Sequence, residues 1–287
     1  LACGILLLDK PLGLSSNQAL QRVRRAFGGA KAGHTGSLDP LASGMLPVCV
    51  GEATKLAGCL LAGHKRYRFT VRLGQRTSTG DTEGEITERA PVPALEAGSL
   101  SAVLAGFCGP QLQVPPMYSA LKRAGQPLYK LARQGLEVER AARAIEITRL
   151  ELLGPVGECL ELAVECSKGT YVRVLAEQIA VAVGSCGHVT ALRREWVEPF
   201  AGEPLVTLER LEGGSLPPLL PPERAVDYLP AIHLDAAGTR AIRHGQSVTL
   251  PSASAGGSVQ LFDAAGQFFG LGRLAGSVLK VQRLFAE

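Results

Sequence analysis

The chain opens on a nearly unbroken apolar run, GILLLD at residues 4–9, closed by the turn-forming KPLGLSS. With no basic segment before it and Asp9 at its end, the run predicts a buried strand rather than a secretory leader. From Ser16, capped by Ser15 or Ser16 itself, NQALQRVRRAF places Leu20, Val23 and Phe27 on one face of a helix, with Arg22 and Arg25 elsewhere. The next stretch, AGHTGSLDPLASGMLPV at residues 32–48, mixes glycine, serine and proline before turning apolar. Asp39 followed by Pro40 fits a helix start, with Asp39 as N-cap, Pro40 at the first helical position, and Gly33 and Gly36 shaping the loop that leads in. PLASGML is therefore expected to be a short helix feeding a strand over PVCVG. ATKLAGCLLAG predicts a second amphipathic helix. KRYRFTVRLG alternates as a strand does, with Tyr67, Phe69 and Val71 on one face and Arg66, Arg68 and Arg72 on the other.

Residues 76–93 are rich in turn formers, SLSAVLAGFCG reads as helical, and a long basic insert follows with its own helix around 127–134. AIEITRLELLG and CLELAVECSKG predict strands, TYVRVLAEQIAVAVG a helix and GHVTALRREWV another strand. GGSLPPLLPPERAVDYLP has the proline and glycine density of a linker. Beyond it, short strands alternate with turns around one helical turn near 236–243, the spacing of a small β-barrel of ~60 residues. No repeat is visible, and PSASAGGS is the one low-complexity run.

At 287 residues and 46% hydrophobic, the chain can bury a large core in two domains, and no apolar run is long enough to span a bilayer. Seven scattered cysteines form no C-x-x-C pair, so buried, reduced thiols of a cytoplasmic protein are expected rather than a zinc site. The net charge of +4 says little, but its distribution says more. Residues 60–76 carry five Lys/Arg and no acid, and residues 110–145 six Lys/Arg against two Glu, a clustering that suits a polyanion. An ordinary solvated face is the plainer alternative.

The chain has no P-loop, no glycine fingerprint of a dinucleotide fold, no H-E-x-x-H and no nucleophile elbow. What remains is Asp39 in its glycine-rich loop, Tyr67 between Arg66 and Arg68, and Arg173 at the start of the helix after SKGTY. Meeting in a sheet-centred cleft, Arg173 would hold the carboxylate and Tyr67 would offer a ring for a base to stack on. A lone carboxylate is poorly equipped for glycoside hydrolysis, which generally uses two. It suits chemistry at an anomeric carbon whose leaving group stays in the pocket, such as isomerisation of a nucleotide.

GILLLDKPLGLSS, AGHTGSLDPLASGMLPVCVGEATK, KRYRFTVRLGQRTSTGDTEG, VPPMYSALKRAGQPLYKLARQG and CSKGTYVRVLAEQIA, taken in order, resemble successive motifs of the bacterial tRNA pseudouridine-55 synthases, the TruB family. The likeness runs from about residue 4 to residue 196, and the tail resembles that family's C-terminal PUA domain. It implies an α/β (α+β) fold: a mixed, largely antiparallel sheet with flanking helices and a thumb insert at about 110–142, plus a small β-barrel. The implied domains are a catalytic one over 1–212, a linker over 213–229 and a PUA-like one over 230–287. Asp39 would be the catalytic carboxylate, attacking C1′ or promoting a glycal-type elimination. Arg173 would be its ion-pair partner, Tyr67 would stack on the base, His34 would fill space beside the extruded nucleotide, and Leu192 would wall the uracil pocket. Lys10 and Pro11 would support the Asp loop by packing. Lys65, Arg66, Lys122, Arg123, Lys130 and Arg133 would meet the RNA backbone. No cofactor and no metal are implied. The implied partner is the T-arm of tRNA, met by a monomer that needs no protein partner, away from any membrane.

Three other readings stay open on the residues. A relative working in a guide-RNA particle would have less need of the long basic insert. A non-catalytic RNA-folding protein would not need the Asp39, Tyr67 and Arg173 set. A metal-free nucleoside hydrolase would release free uracil.

Overall fold

In the computed structural model, residues 2–123, 125–214, 216–250 and 256–286 are described. β1 (Gly4–Lys10) leads into α1 (Ser16–Ala26), whose Ser15 cap and Gln18 form a capping box. β2 (Ala32–His34) and β3 (Ala42–Val50) flank the Asp39 loop. A 3-10 helix over Gly51–Leu56 and α2 (Ala57–Ala62) carry the chain to β4 (Lys65–Leu73). β5 (Gln75–Thr77) and β6 (Ile86–Arg89) form a hairpin, followed by α3 (Ala97–Ala105) and β7 (Gly109–Gln113). The insert holds a small hairpin of β8 (Lys122–Arg123) and β9 (Gln126–Pro127), then α4 (Leu128–Arg133). β10 (Arg143–Leu152), β11 (Cys159–Cys166), α5 (Val172–Ala182) and β12 (Gly187–Val197) follow, with β13 (Val206–Thr207) and α6 (Leu208–Glu212) at the end.

These strands make one sheet in the order β13-β1-β3-β12-β4-β11-β10-β7, with β2 added beside β3. Only the β1–β13 and β3–β12 pairs are parallel, so the sheet is mixed and largely antiparallel. β1 over residues 5–8 and β3 over residues 45–50 run apolar because both faces of the sheet are covered there. Leu6, Leu8 and Val48 join the core under α1 and α5, while Ile5, Leu7 and Met45 face a second cluster with Leu56, Leu60 and Phe200. β4 shows the expected alternation: Tyr67, Phe69 and Val71 are buried, and Arg68 and Arg72 are exposed. Among the described residues no helix is long and apolar enough to cross a membrane.

One expectation fails. No helix starts at Asp39; the Ala42 amide donates to the Asp39 carbonyl (3.0 Å), closing a turn that runs straight into β3. Asp and Pro suit the first two positions of a β-turn as well as the start of a helix, and the continuous pairing of β3 with β1 from Lys10–Gly44 to Gly4–Val50 decides between them. The proline-rich stretch packs against the sheet. Ile5 and Leu220 exchange both backbone hydrogen bonds, and Ala225 and Val226 enter the second apolar cluster.

The last segment supplies β14 (Ala231–His233), α7 (Ala236–Arg243), β15 (Val248–Thr249), β16 (Gly257–Phe262), β17 (Phe268–Ala275) and β18 (Val278–Leu284). The strands pair in the order β14-β16-β17-β18-β15 around Leu234, Ile242, Leu261, Phe269 and Leu279. Leu271 and Phe285 pack back into the cluster with Ile5, Leu7 and Phe200. Of the low-complexity run PSASAGGS, residues 251–255 lie outside the described residues.

Candidate active site

The Asp39 loop is built by its neighbours rather than by its own secondary structure. The Ser16 hydroxyl, at the head of α1, donates to the Leu38 carbonyl (2.9 Å) and accepts from the Leu38 amide (2.7 Å). The Gly13 amide donates to the Pro40 carbonyl (2.8 Å), and buried Lys10 ties its own turn by donating to the Leu14 and Pro11 carbonyls. Burial pushes the Lys10 ammonium down to about 8 against the attraction of Asp39. Gly36, at φ +71, makes the left-handed step that a side chain would resist, whereas Gly33 lies in ordinary extended backbone within β2.

Asp39 and Arg173 meet. The guanidinium is 6% exposed and its Nη2 lies 2.9 Å from Asp39 Oδ2, while the carboxylate remains 43% exposed to the cleft. Arg173 comes from the first turn of α5 and has three further acceptors. Nη1 donates to the Thr79 carbonyl (2.9 Å) and sits 3.6 Å from Asp81 Oδ2; Nη2 donates to the Tyr118 carbonyl (2.6 Å). Asp81 is buried and also accepts from the Thr79 hydroxyl and the Glu83 amide. One guanidinium therefore holds the catalytic candidate to the β5–β6 hairpin and to the root of the thumb.

This ion pair stands between two cavities. One, of about 460 Å³, is lined by His34, Ser16, Asp39, Tyr129, Arg133 and Arg173. The other, of about 560 Å³, is lined by Asp39, Tyr67, Tyr171, Arg173, Leu192 and Arg194. Asp39 with Tyr67, Arg173 and Leu192 thus shares one chamber, with His34 across the Asp loop in the next. His34 Nδ1 is buried without a hydrogen-bond partner among the described residues, and burial, then the nearby Arg194, lowers that imidazole below its ordinary range. Burial raises the Tyr67 phenol, and Arg194 opposes that rise through its charge and a hydrogen bond.

The six residues expected on the RNA backbone divide. Lys122, Arg123, Lys130 and Arg133 are carried by the insert, and all four are exposed. Lys65 does not face solvent, because its ammonium is buried, donates to the Gly63 carbonyl (2.6 Å) and is pushed down to about 8 by desolvation and Arg194. Arg66 is held by three carboxylates, Glu151, Glu165 and Glu195, at 2.5 to 2.8 Å. Charge counted along the sequence overstates these two: Lys65 is spent on the carbonyl of the turn just before it, and the carboxylates of Arg66 come from strands distant in the chain.

Asp81, Arg194, Tyr171 and Tyr118 carry no signal in the sequence that singles them out. Asp81 lies in GDTEG, where an aspartate between a glycine and a threonine reads as turn chemistry. Arg194 lies two residues beyond Leu192 in a strand with a second arginine beside it.

The described residues contain no cluster of three or more His, Cys, Asp or Glu placed to hold a metal. The family model described as "TruB family pseudouridylate synthase (N terminal domain)" matches residues 24–172, and "Pseudouridine synthase II TruB, C-terminal" matches residues 230–285. A protein of Nitrosococcus oceani named tRNA pseudouridine synthase B is 50% identical over 280 residues, covering 94% of this chain and 90% of that one. The protein of that name from Coxiella burnetii is 48% identical over 279 residues, with the same coverage. Among solved structures, a Cbf5-Nop10-Gar1 complex aligns with TM-score 0.74 at 26% identity, over 99% of this chain and 85% of the other. An H/ACA RNP bound to a substrate RNA containing 2′-deoxyuridine aligns with TM-score 0.73 at 24% identity over the same shares.

Proposed function

The chain belongs to the TruB family of pseudouridylate synthases, and on that premise we propose that Asp39 is the catalytic carboxylate of a uridine-55 isomerisation in the T-loop of tRNA. The protein is an isomerase that converts uridine in tRNA to pseudouridine. The observation that carries the residue assignment is the half-open Asp39 carboxylate, paired at 2.9 Å with a buried guanidinium in a chamber walled by Tyr67 and Leu192.

The target base lies inside a folded loop and must be flipped out, at a cost of a few kcal/mol for unstacking and unpairing. The chamber of about 560 Å³ receives the uracil between the Tyr67 ring and the Leu192 side chain. Asp39 then acts on the ribose, by addition to C1′ or by glycal-type elimination. The N1–C1′ bond breaks, the base turns within the closed pocket, and C5 bonds to C1′. C5 loses its proton and N1 gains one, so every atom of the substrate is kept and no group is imported. Arg173 keeps the carboxylate aimed at the sugar. His34, in the chamber of about 460 Å³, fills the space beside the extruded nucleotide.

The cations of the insert, Lys122, Arg123, Lys130 and Arg133, supply the thumb that closes on the RNA arm. Recognition rests on loop shape and splayed bases, as is usual for structured RNA. We take 1–212 as catalytic, with 213–229 joining it to a PUA-like domain over 230–287. The enzyme acts as a cytoplasmic monomer on free tRNA. The RNP and multiprotein structures that the chain resembles are distant, at 24 to 26% identity, against 48 to 50% for the proteins named tRNA pseudouridine synthase B, and a long basic insert suits the stand-alone form. Activity of the purified chain alone on a tRNA transcript tests this reading. Pseudouridine formation without added RNA or protein is expected, and a requirement for either overturns it.

A further inference from the structure

We propose that Arg194 is a positioning residue, which fixes the Tyr67 hydroxyl and the Asp39 loop in one geometry and aims the Tyr67 proton into the uracil chamber. The inference rests on the assignment of Asp39 and Tyr67 to the uridine site.

Arg194 is among the largest side chains fully buried in the chain, at 1% exposure. A guanidinium removed from water is costly and is usually compensated by a carboxylate. Arg194 takes part in none of the ion pairs among the described residues. Its partners are neutral and belong to separate elements. Nε donates to the Met45 carbonyl on β3 (2.7 Å), and Nη2 donates to the Gly36 carbonyl in the Asp loop (2.8 Å). Tyr67 is its direct partner across the β4–β12 ladder, so both side chains stand on one face of the sheet and line the same chamber. A methyl group placed on Gly36 would lie 3.3 Å from Arg194 Nη1, which shows how closely the loop is laid on the guanidinium.

The chemistry of the pair sets the direction of a proton. Arginine has donors and no acceptor. A phenol bonded to it must accept, and its own O–H then points away from Arg194. The remaining direction is the chamber that Asp39, Arg173 and Leu192 also line. Tyr67 thereby holds its O–H on a fixed vector into the chamber, in the plane of the ring on which the base stacks. The nearby cation also explains why Arg194 opposes the effect of burial on the phenol. A lysine would keep the charge but could not reach Met45, Gly36 and Tyr67 together with one ammonium.

The experiment is a kinetic double-mutant cycle of Arg194→Lys and Tyr67→Phe, read by single-turnover pseudouridine formation on a tRNA transcript, with tRNA affinity measured separately. Arg194→Lys alone is expected to slow turnover tenfold or more while the tRNA Kd stays within about threefold. In the Tyr67→Phe background the same substitution is expected to cost less than about threefold, because the hydroxyl it orients is gone. An unchanged rate, a loss confined to Kd, or the full penalty in both backgrounds overturns the proposal. Nitrogen NMR of arginine-labelled enzyme gives a readout that needs no change at Arg194. Its Nη signals are expected to shift on Tyr67→Phe, and signals that stay in place also overturn the proposal. Asp39→Asn in parallel separates the two levels: an active Asp39→Asn enzyme refutes the underlying assignment, whereas an inactive one beside a fully active Arg194→Lys enzyme refutes only the role of Arg194.

Discussion

Replacing Arg173 by lysine removes a fork that joins three segments of the site. The guanidinium contacts Asp39 at 2.9 Å, Asp81 at 3.6 Å and the carbonyls of Thr79 and Tyr118 at 2.9 and 2.6 Å. An ammonium satisfies one or two of these acceptors and cannot span all of them from a single nitrogen. A hydrogen bond to a charged group contributes about 1.5–3 kcal/mol. Losing two and recovering part of one leaves roughly 2–4 kcal/mol, or a rate ~30- to ~1,000-fold lower at about 1.4 kcal/mol per factor of ten. Binding should hardly change, because Arg173 is 6% exposed and its donors are committed to protein acceptors. The assay is single-turnover isomerisation at saturating enzyme beside filter binding of the same tRNA. A rate depressed into that range with Kd within about threefold supports the ion pair as the device that aims Asp39. Wild-type turnover at saturation with a tenfold weaker Kd would show instead that Arg173 is a phosphate contact.

Neutralising Lys122, Arg123, Lys130 and Arg133 together is expected to weaken tRNA binding and flatten its log–log salt dependence by up to ~3, at roughly 0.7–0.9 for each phosphate no longer neutralised; an unchanged slope in a salt titration removes the thumb from the interface. Arg66→Met should leave that slope unchanged and lower the unfolding midpoint, since it strands Glu151, Glu165 and Glu195 beside one another; a weaker Kd at an unchanged midpoint contradicts this. Phe285→Ala should cost about 3 kcal/mol or more by opening the cluster that Phe285 shares with Ile5, Leu7 and Phe200, so a chain cut near Pro230 is expected to be destabilised as well as shortened; an unfolding midpoint within a degree of wild type for Phe285→Ala refutes the packing. Lys10, with its folded pKa lowered to about 8 from 10.5, binds fewer protons folded than unfolded between those values. Stability therefore rises with pH across that window for wild type relative to Lys10→Met, and urea unfolding at pH 7.5 and 10 should show the difference growing in favour of wild type; a constant difference rejects the burial of a charged Lys10.

The strands were legible because burial leaves a period of two: β4 alternates Tyr67, Phe69 and Val71 with arginines, and its buried face is the one the pattern assigns. The loop around Asp39 was legible as special but not as a shape, since Asp-Pro serves a turn and a helix start equally and only pairing with β1 distinguishes them. Arg66 looked like an RNA contact because Glu151, Glu165 and Glu195 lie 85 to 129 residues away in the chain and arrive through sheet pairing. Arg194 was invisible for the same reason: its register partner Tyr67 is set by the β4–β12 ladder, and no local spacing records it. Asp81 looked like turn chemistry, which it also performs through Thr79 and Glu83; what the sequence did not show is that α5 brings Arg173 to it. The proline-rich stretch before residue 230 had the composition of a linker, yet Leu220 pairs with Ile5, because apolar residues among prolines can still complete a sheet edge.

The most direct measurement is pseudouridine mapping, by carbodiimide-stop sequencing, of a tRNA transcript incubated with the wild-type chain and with Asp39→Asn. The carboxamide is nearly isosteric, and the turn at Asp39 uses its backbone carbonyl rather than its side chain, so the variant should fold and bind tRNA. A single stop at the T-loop uridine with wild type and none with Asp39→Asn, at similar tRNA affinity, is the expected result. An Asp39→Asn enzyme retaining even a tenth of the wild-type rate would contradict the assignment of Asp39 as the catalytic carboxylate.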